Sequence, residues 1–247
     1  GLAVPCAMLE TVHRGRWLPL ARLAAWLACA AAIWIGLDVS GLDLALSRPF
    51  YDAASGGFPL KHDWWFAAAG HTGLKRLSLV LWLGTVLAAA FMPSRLAGWR
   101  TPLAEAALLM AGCAVLVLWM RGLSAHSCPW DLAGFGGQAA HYAIGADVPA
   151  NPGPGRCVPA AHASSGFALF GLYFALREFR PRAARAVLAL AWGLGLLGGF
   201  VQVARGAHFA SHVLWTAWIC WGAAWAAHAA IASVRRACSR SRGSPGS

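Results

Sequence analysis

The stretch "RGAHFASHVLW", from Arg205 to Trp215, sets an arginine and two histidines beside aromatic and aliphatic side chains. Whether that run meets water or lipid decides the fold. Of the 247 residues, 59% are hydrophobic and only 12% charged, with 14 tryptophans. A water-soluble domain carries about 25% charged residues to cover its surface, so this composition points to an integral membrane protein. Arg205, His208 and His212 then stand at the edge of a lipid-facing helix. Ionisable groups there are costly, and their retention marks them as functional candidates.

Working outward from this stretch, apolar runs of membrane-crossing type occur at about residues 17–37, 77–92, 103–120, 163–176, 184–204 and 209–234. The second and fourth are short and are expected to extend into their flanking loops. The predicted fold is all-α: a polytopic membrane protein of six transmembrane helices, with residues 1–234 as a single domain. The end, "SRSRGSPGS", has the composition of a disordered segment, so residues 235–247 are read as a disordered cytoplasmic tail. The first run is longer than a secretory signal core and is read as a retained span.

Charge sets the orientation. One set of loops holds Arg14, Arg16, Arg95, Arg100, Arg177, Arg180, Arg182, Arg185, Arg235, Arg236, Arg240 and Arg242. The alternate loops hold Asp38, Asp43, Asp52, Asp63, Asp131 and Asp147. The positive-inside rule places both termini in the cytoplasm and the aspartate-bearing loops outside. The net charge of +11 is distributed in short clusters between apolar runs and not over one folded face, so nucleic acid is not expected as a partner. The abundance of alanine and arginine suggests a bacterial chain. The expected location is the bacterial inner membrane, with the outer loops in the periplasm.

Three polar clusters lie where spans meet outer loops: "RGLSAHSCPWDL" from Arg121, "PAAHASSGF" from Pro159 and "QVARGAHFASHVLW" from Gln202. His162 falls just before the fourth span and His208 just before the sixth. A helix start offers free N–H groups and the positive end of the dipole, which suits an anion. Arg121 and Arg205 add guanidinium groups of the kind that grip phosphate oxygens. Two histidines beside a bound phosphate can divide the work, one attacking phosphorus and the other protonating the leaving oxygen.

Plainer roles compete at each position. An interfacial arginine snorkels to headgroups, and a single histidine near a helix end is more often structural. His126 and His141 read as loop residues, His62 and His71 as interfacial ones, and His228 as a packing residue towards the inner end of the last span. His208 and His212 share a helical face at i, i+4, but no glutamate follows His208, so the zinc-protease pattern is absent. No metal and no other cofactor is expected.

Together the three clusters resemble the type-2 phosphatidic acid phosphatase superfamily, whose signatures are Lys-x6-Arg-Pro, Pro-Ser-Gly-His and Ser-Arg-x5-His-x3-Asp. Here Arg121 with Cys128-Pro129 corresponds to the first, Pro159–His162 to the second and Gln202–His212 to the third. The resemblance covers about residues 121–215 and is closest to a divergent subgroup with blocks like "CPWDL" and "RGAHFxSH". It implies that His208 is the nucleophile, His162 the proton donor, and that His212 stands where an aspartate is usual. Arg121, Arg205 and Gln202 are the implied phosphate ligands, with Arg205 supplying a guanidinium one helical turn from the usual position. Cys128 and Ala160 replace an arginine and a serine. Asp131 is the nearest outer-loop carboxylate by motif and is expected to supply the charge that His212 lacks. Cys128 and Cys157 share the oxidising outer loop, and a disulfide between them would tie the first block to the second.

The expected activity is hydrolysis of a phosphomonoester or diphosphate on a lipid at the outer face, through a phosphohistidine. The substrate is a phosphorylated lipid held by a protein in contact with the bilayer. Transfer of phosphate to a second lipid, of the lipid A type, and an inactive relative that only binds headgroups are the alternatives.

Overall fold

A computed structural model describes residues 6–242, and among these it is helical, without strands. The long helices are α1 (Cys6–Ile33), α3 (Leu74–Phe91), α4 (Arg100–Leu123), α7 (Pro181–Ala204) and α8 (Ala210–Arg242). Three short ones are α2 (Leu42–Ser47), α5 (Ser164–Phe167) and α6 (Phe170–Leu176). Tighter packing of the chain gives way to wider π-type turns after α1, at Trp34–Val39, and before α3, at Trp65–Gly73. The second apolar run therefore extends N-terminally through a π-helical segment.

Among the described residues, five helices are long and apolar enough to cross a membrane. The fourth apolar run is not among these five. It forms α5 and α6 with a break at residues 168–169, and Ser164–Leu176 together rise only about 20 Å at 1.5 Å per residue. A hydrocarbon core is about 30 Å thick. The run is bounded by turns before Ser164 and by Arg180-Pro181 after it, so it has no room to lengthen. It also does not face lipid. Phe167, Phe170 and Phe174 are fully buried at the centre of the bundle, among Met110, Cys113 and Val117 of α4 and Val213, Ala217 and Cys220 of α8.

Close approach explains the break from ordinary span geometry. A Cβ on Gly166 would fall 2.1 Å from the Gly195 backbone nitrogen, and one on Gly195 would fall 2.3 Å from the Phe167 ring. Two glycines thus let α5 meet α7 backbone to backbone. In α3 only Thr85 is buried and in α1 none of the described side chains is, whereas the apolar stretches of α4, α7 and α8 bury about a third or more of their residues. The architecture is a core of α4 to α8 with α1 and α3 on its flank.

α1 is fastened to α8 by a reciprocal pair. The Trp26 and Trp218 rings stack with centroids 3.8 Å apart. The Trp26 indole N–H donates to the Trp218 carbonyl at 3.3 Å, and the Trp218 N–H donates to the Trp26 carbonyl at 2.8 Å. Each half-buried indole donor is thereby satisfied.

The two ends of the bundle differ. At one, Trp99 meets Phe179 edge-on, and Arg180 lies over the Trp99 ring. There α8 runs on to Arg242, so residues 235–242, expected in a disordered tail, are helical. No glycine or proline interrupts them, and Arg235 pairs with the buried Glu105 at 2.7 Å. Residues 243–247 lie outside the described residues. At the other end the two long loops converge. Phe58, Leu132, Phe135 and Phe209 form a small second core there, with Tyr51 and Trp130 packed against it.

Candidate functional site

The loop end brings the three polar clusters together. The ring centroids of His162 and His208 are 6.3 Å apart, and those of His208 and His212 5.9 Å apart. Both His208 and His212 are almost fully buried, at 2% and 3% exposure.

Backbone contacts hold this arrangement. The Ala160 N–H donates to the His212 carbonyl at 3.2 Å. The Thr216 hydroxyl lies 3.1 Å from the Ala160 carbonyl and 2.8 Å from that of His212. The segment that carries His162 is thus stapled to the first turns of α8. Cys128 and Cys157 are disulfide-bonded. The Cys157 N–H donates to the His126 carbonyl at 3.0 Å and that of Arg156 to the Ser124 carbonyl at 2.7 Å. The first and second clusters are therefore joined by backbone pairing as well as by sulfur.

His208 turns Nδ1 towards Cys157 Sγ at 3.3 Å, not towards His212. A disulfide sulfur has no proton to give, so Nδ1 is the donor of this contact, and the Cys157 backbone carbonyl is a further acceptor for the ring. The Nε2 lone pair is then left free for a substrate. Burial holds the His208 imidazole well below the usual histidine value, and His212, His162 and Arg121 press it in the same direction. The ring is therefore neutral at pH 7 and fit to act as a nucleophile.

The cations around it are positioned but not all free. Arg121 donates its Nε–H to the Arg156 carbonyl at 2.8 Å. Arg205 donates to Gln202 Oε1 at 3.1 Å and to the Lys61 carbonyl at 3.1 and 3.3 Å. Burial pulls the Arg205 guanidinium below its ordinary value, though it remains charged at any physiological pH. Gln202 is 1% exposed, and its Nε2 donor has no partner. A buried, unsatisfied amide costs stability and suits a bound acceptor such as a phosphate oxygen.

Asp131 does not supply the expected charge. Its Oδ2 accepts from the Cys128 N–H at 3.3 Å and the Trp130 indole at 3.1 Å. Its carboxylate thus caps its own turn, and it is not among the charges felt by His208 or His212. Gly206 places Arg205 and His208 on either side of a tight turn. It has φ +72°, and a Cβ there would fall 2.3 Å from the Phe58 ring. Its carbonyl accepts from the Trp130 N–H at 3.0 Å.

The model of the PAP2 superfamily matches residues 102–236, which is the core from α4 to α8. The chain belongs to the PAP2 superfamily. No curated protein and no solved structure matches it. This superfamily generally comprises phosphatases, and its membrane-type fold points to phosphatase or phosphotransferase chemistry. The match excludes α1 to α3, yet these flanking elements reach the PAP2 site. Lys61 holds Arg205, and Asp43 accepts the Ser211 N–H at 2.9 Å through Oδ1.

Sequence reasoning treated Asp38 and Asp43 only as topology markers. Asp43 instead caps the N-terminus of α8, next to the histidines. Burial raises its carboxyl above the usual range, partly offset by its bonds to Ser211. Its acidic charge in a loop otherwise rich in apolar residues was the available signal.

Proposed function

We propose that this PAP2 protein is a membrane phosphatase acting on a phosphorylated lipid, with hydrolysis through a phosphohistidine at His208. The observation that carries the reading is the approach of two histidines, 6.3 Å apart between ring centroids, across a space that one tetrahedral phosphoryl group can bridge. His208 Nε2 attacks phosphorus, and the P–O bond to the lipid breaks. His162 gives its proton to the departing oxygen. Water then attacks the phosphohistidine, His162 takes the water's proton, and inorganic phosphate leaves. Arg121, Arg205 and the Gln202 amide stabilise the charge that builds on the equatorial oxygens. The site lies at the end opposite the arginine-rich loops, which the positive-inside rule assigns to the outer face of a bacterial inner membrane.

The test uses the purified full chain in detergent with phosphatidic acid, phosphatidylglycerol phosphate, undecaprenyl diphosphate and lipid A as substrates. At least one releases phosphate with the native chain. His208→Ala abolishes the release in protein that remains folded, and His162→Ala lowers it by at least a hundredfold. Unchanged turnover in His208→Ala overturns the reading. Binding of these lipids without turnover by the native chain marks it as an inactive relative, the outcome favoured by the lack of any carboxylate against His208. Passage of labelled phosphate to a second lipid, with none released, marks a phosphotransferase.

A further inference from the structure

A second polar pocket lies beside the first and shares His212 with it. Its walls include Asp38, His126, Ser127, His141, Tyr142 and His212. Three buried polar atoms there have no hydrogen-bond partner: His126 Nε2, the Tyr142 hydroxyl and His212 Nδ1. Each such group costs stability when left unpaired, and three around one space point to something that binds there.

The backbone beside the pocket is held by its surroundings. Both backbone groups of Ile144 are tied to the end of the first span. Its N–H donates to Asp38 Oδ2 at 2.6 Å, and its carbonyl accepts from the Trp34 indole at 2.8 Å. His126 stacks on Tyr142 with centroids 4.3 Å apart, and His141 stands edge-on to Phe209 at 5.7 Å. The Ala143 carbonyl takes a hydrogen bond from the His126 ring. Because Nε2 has no partner, that bond belongs to Nδ1, which leaves the Nε2 lone pair unused. A carbonyl in that position is the usual orienting partner of a metal-binding histidine.

Size and donor set narrow the ligand. The enclosed space is about 10 Å³, room for the centre of one water or one ion. A phosphate or a headgroup does not fit. Imidazole nitrogens with one carboxylate are the donors that borderline transition metals prefer, and calcium or magnesium would select oxygen donors. Among the described residues the cluster whose ligand atoms already lie within 4.8 Å of one another is Cys128, Cys157 and His208, and its sulfurs are locked in the disulfide. The histidine pocket is more open than that. To coordinate, the half-buried His126 and the exposed His141 must swing towards His212, which is fixed on α8.

We propose that His126, His141 and His212, with Asp38, bind one divalent transition-metal ion of the zinc class. The ion would tie the outer loop that carries His126 and His141 to the first turn of the catalytic helix. The site is independent of turnover, so its test does not depend on the phosphatase reading.

The experiment takes the full chain in detergent, stripped with chelator and dialysed against micromolar zinc, with metal content measured per chain. Cobalt substitution supplies a visible absorption band for tetrahedral nitrogen and oxygen coordination. One zinc per chain and a rise in Tm with zinc are expected for the native chain. His126→Ala and His141→Ala each weaken binding at least tenfold, whereas His62→Ala, at an exposed position outside the pocket, leaves it unchanged. A native chain that takes up no zinc overturns the proposal. So does uptake that persists in the His126→Ala/His141→Ala double variant, which would mean adventitious binding elsewhere.

Discussion

Nδ1 of His208 lies 3.3 Å from Sγ of Cys157, so the disulfide that ties the outer loop also touches the ring proposed as nucleophile. One bond therefore has two consequences, mechanical and electronic. It closes a loop of 29 residues in sequence separation, and closing such a loop is worth about 3–4 kcal/mol through the unfolded state. It also presents His208 with an acceptor that has no proton, beside the Cys157 backbone carbonyl that accepts from the same ring. Cys128→Ala/Cys157→Ala is expected to lower stability by that amount and kcat by at least tenfold, with a smaller change in KM. Denaturant unfolding and phosphate release measure the two effects separately. Full kcat in the double variant would show that the sulfur does not orient the ring.

Acid should unfold the loop end before it protonates the site. Burial depresses the folded value of His208. A group depressed on folding adds stability above its unfolded value and loses it as pH falls. Stability is thus expected to be level above about pH 6.5 and to fall below it. His208 accounts for about 1.4 kcal/mol per pH unit on that slope. Thermal melts from pH 8 to pH 4 check this, and His208→Gln should flatten the slope.

Gly206 holds the turn between Arg205 and His208 in the left-handed region, with Phe58 against it. Gly206→Ala should cost about 1–3 kcal/mol from backbone and steric terms together and move both site residues. Phe58→Ala removes the ring that the new Cβ meets. The double variant Gly206→Ala/Phe58→Ala should therefore be less damaged than the sum of the singles, a coupling that a double-mutant cycle of stability and kcat would detect.

At the far end, Glu105 is buried between His228 Nδ1 at 2.6 Å and Arg235 at 2.7 Å. His228 is thereby a hydrogen-bonded packing residue, as its position in the last span suggested. Removing both partners with His228→Ala/Arg235→Ala strands a carboxylate and should cost about 3–5 kcal/mol. Adding Glu105→Leu should return most of it, because an apolar side chain needs no partner there. Unfolding in detergent measures each variant, with phosphate release as a check that the distant site is intact.

Composition and charge were enough to read a multi-span membrane protein, because the lipid solvent excludes charge over whole helices and leaves a signal some 20 residues long. The spacing of Arg121, His162 and His208 was enough to mark the family, because motif residues beside helix ends keep a fixed relation to the helices that flank them. The shortness and break of the fourth apolar run were hidden for a matching reason. Its apolar residues look the same whether they face lipid or the aromatic core, and only the packing of Phe167 against Gly195 reveals which. Asp131 and His212 were paired with His208 by motif position alone. The fold turned Asp131 onto its own backbone and His212 towards His126 and His141, residues 86 and 71 positions earlier in the chain. Such partners are fixed by where loops land on one another. No local pattern encodes that, since each ring is aimed by contacts that exist only after the whole bundle has formed.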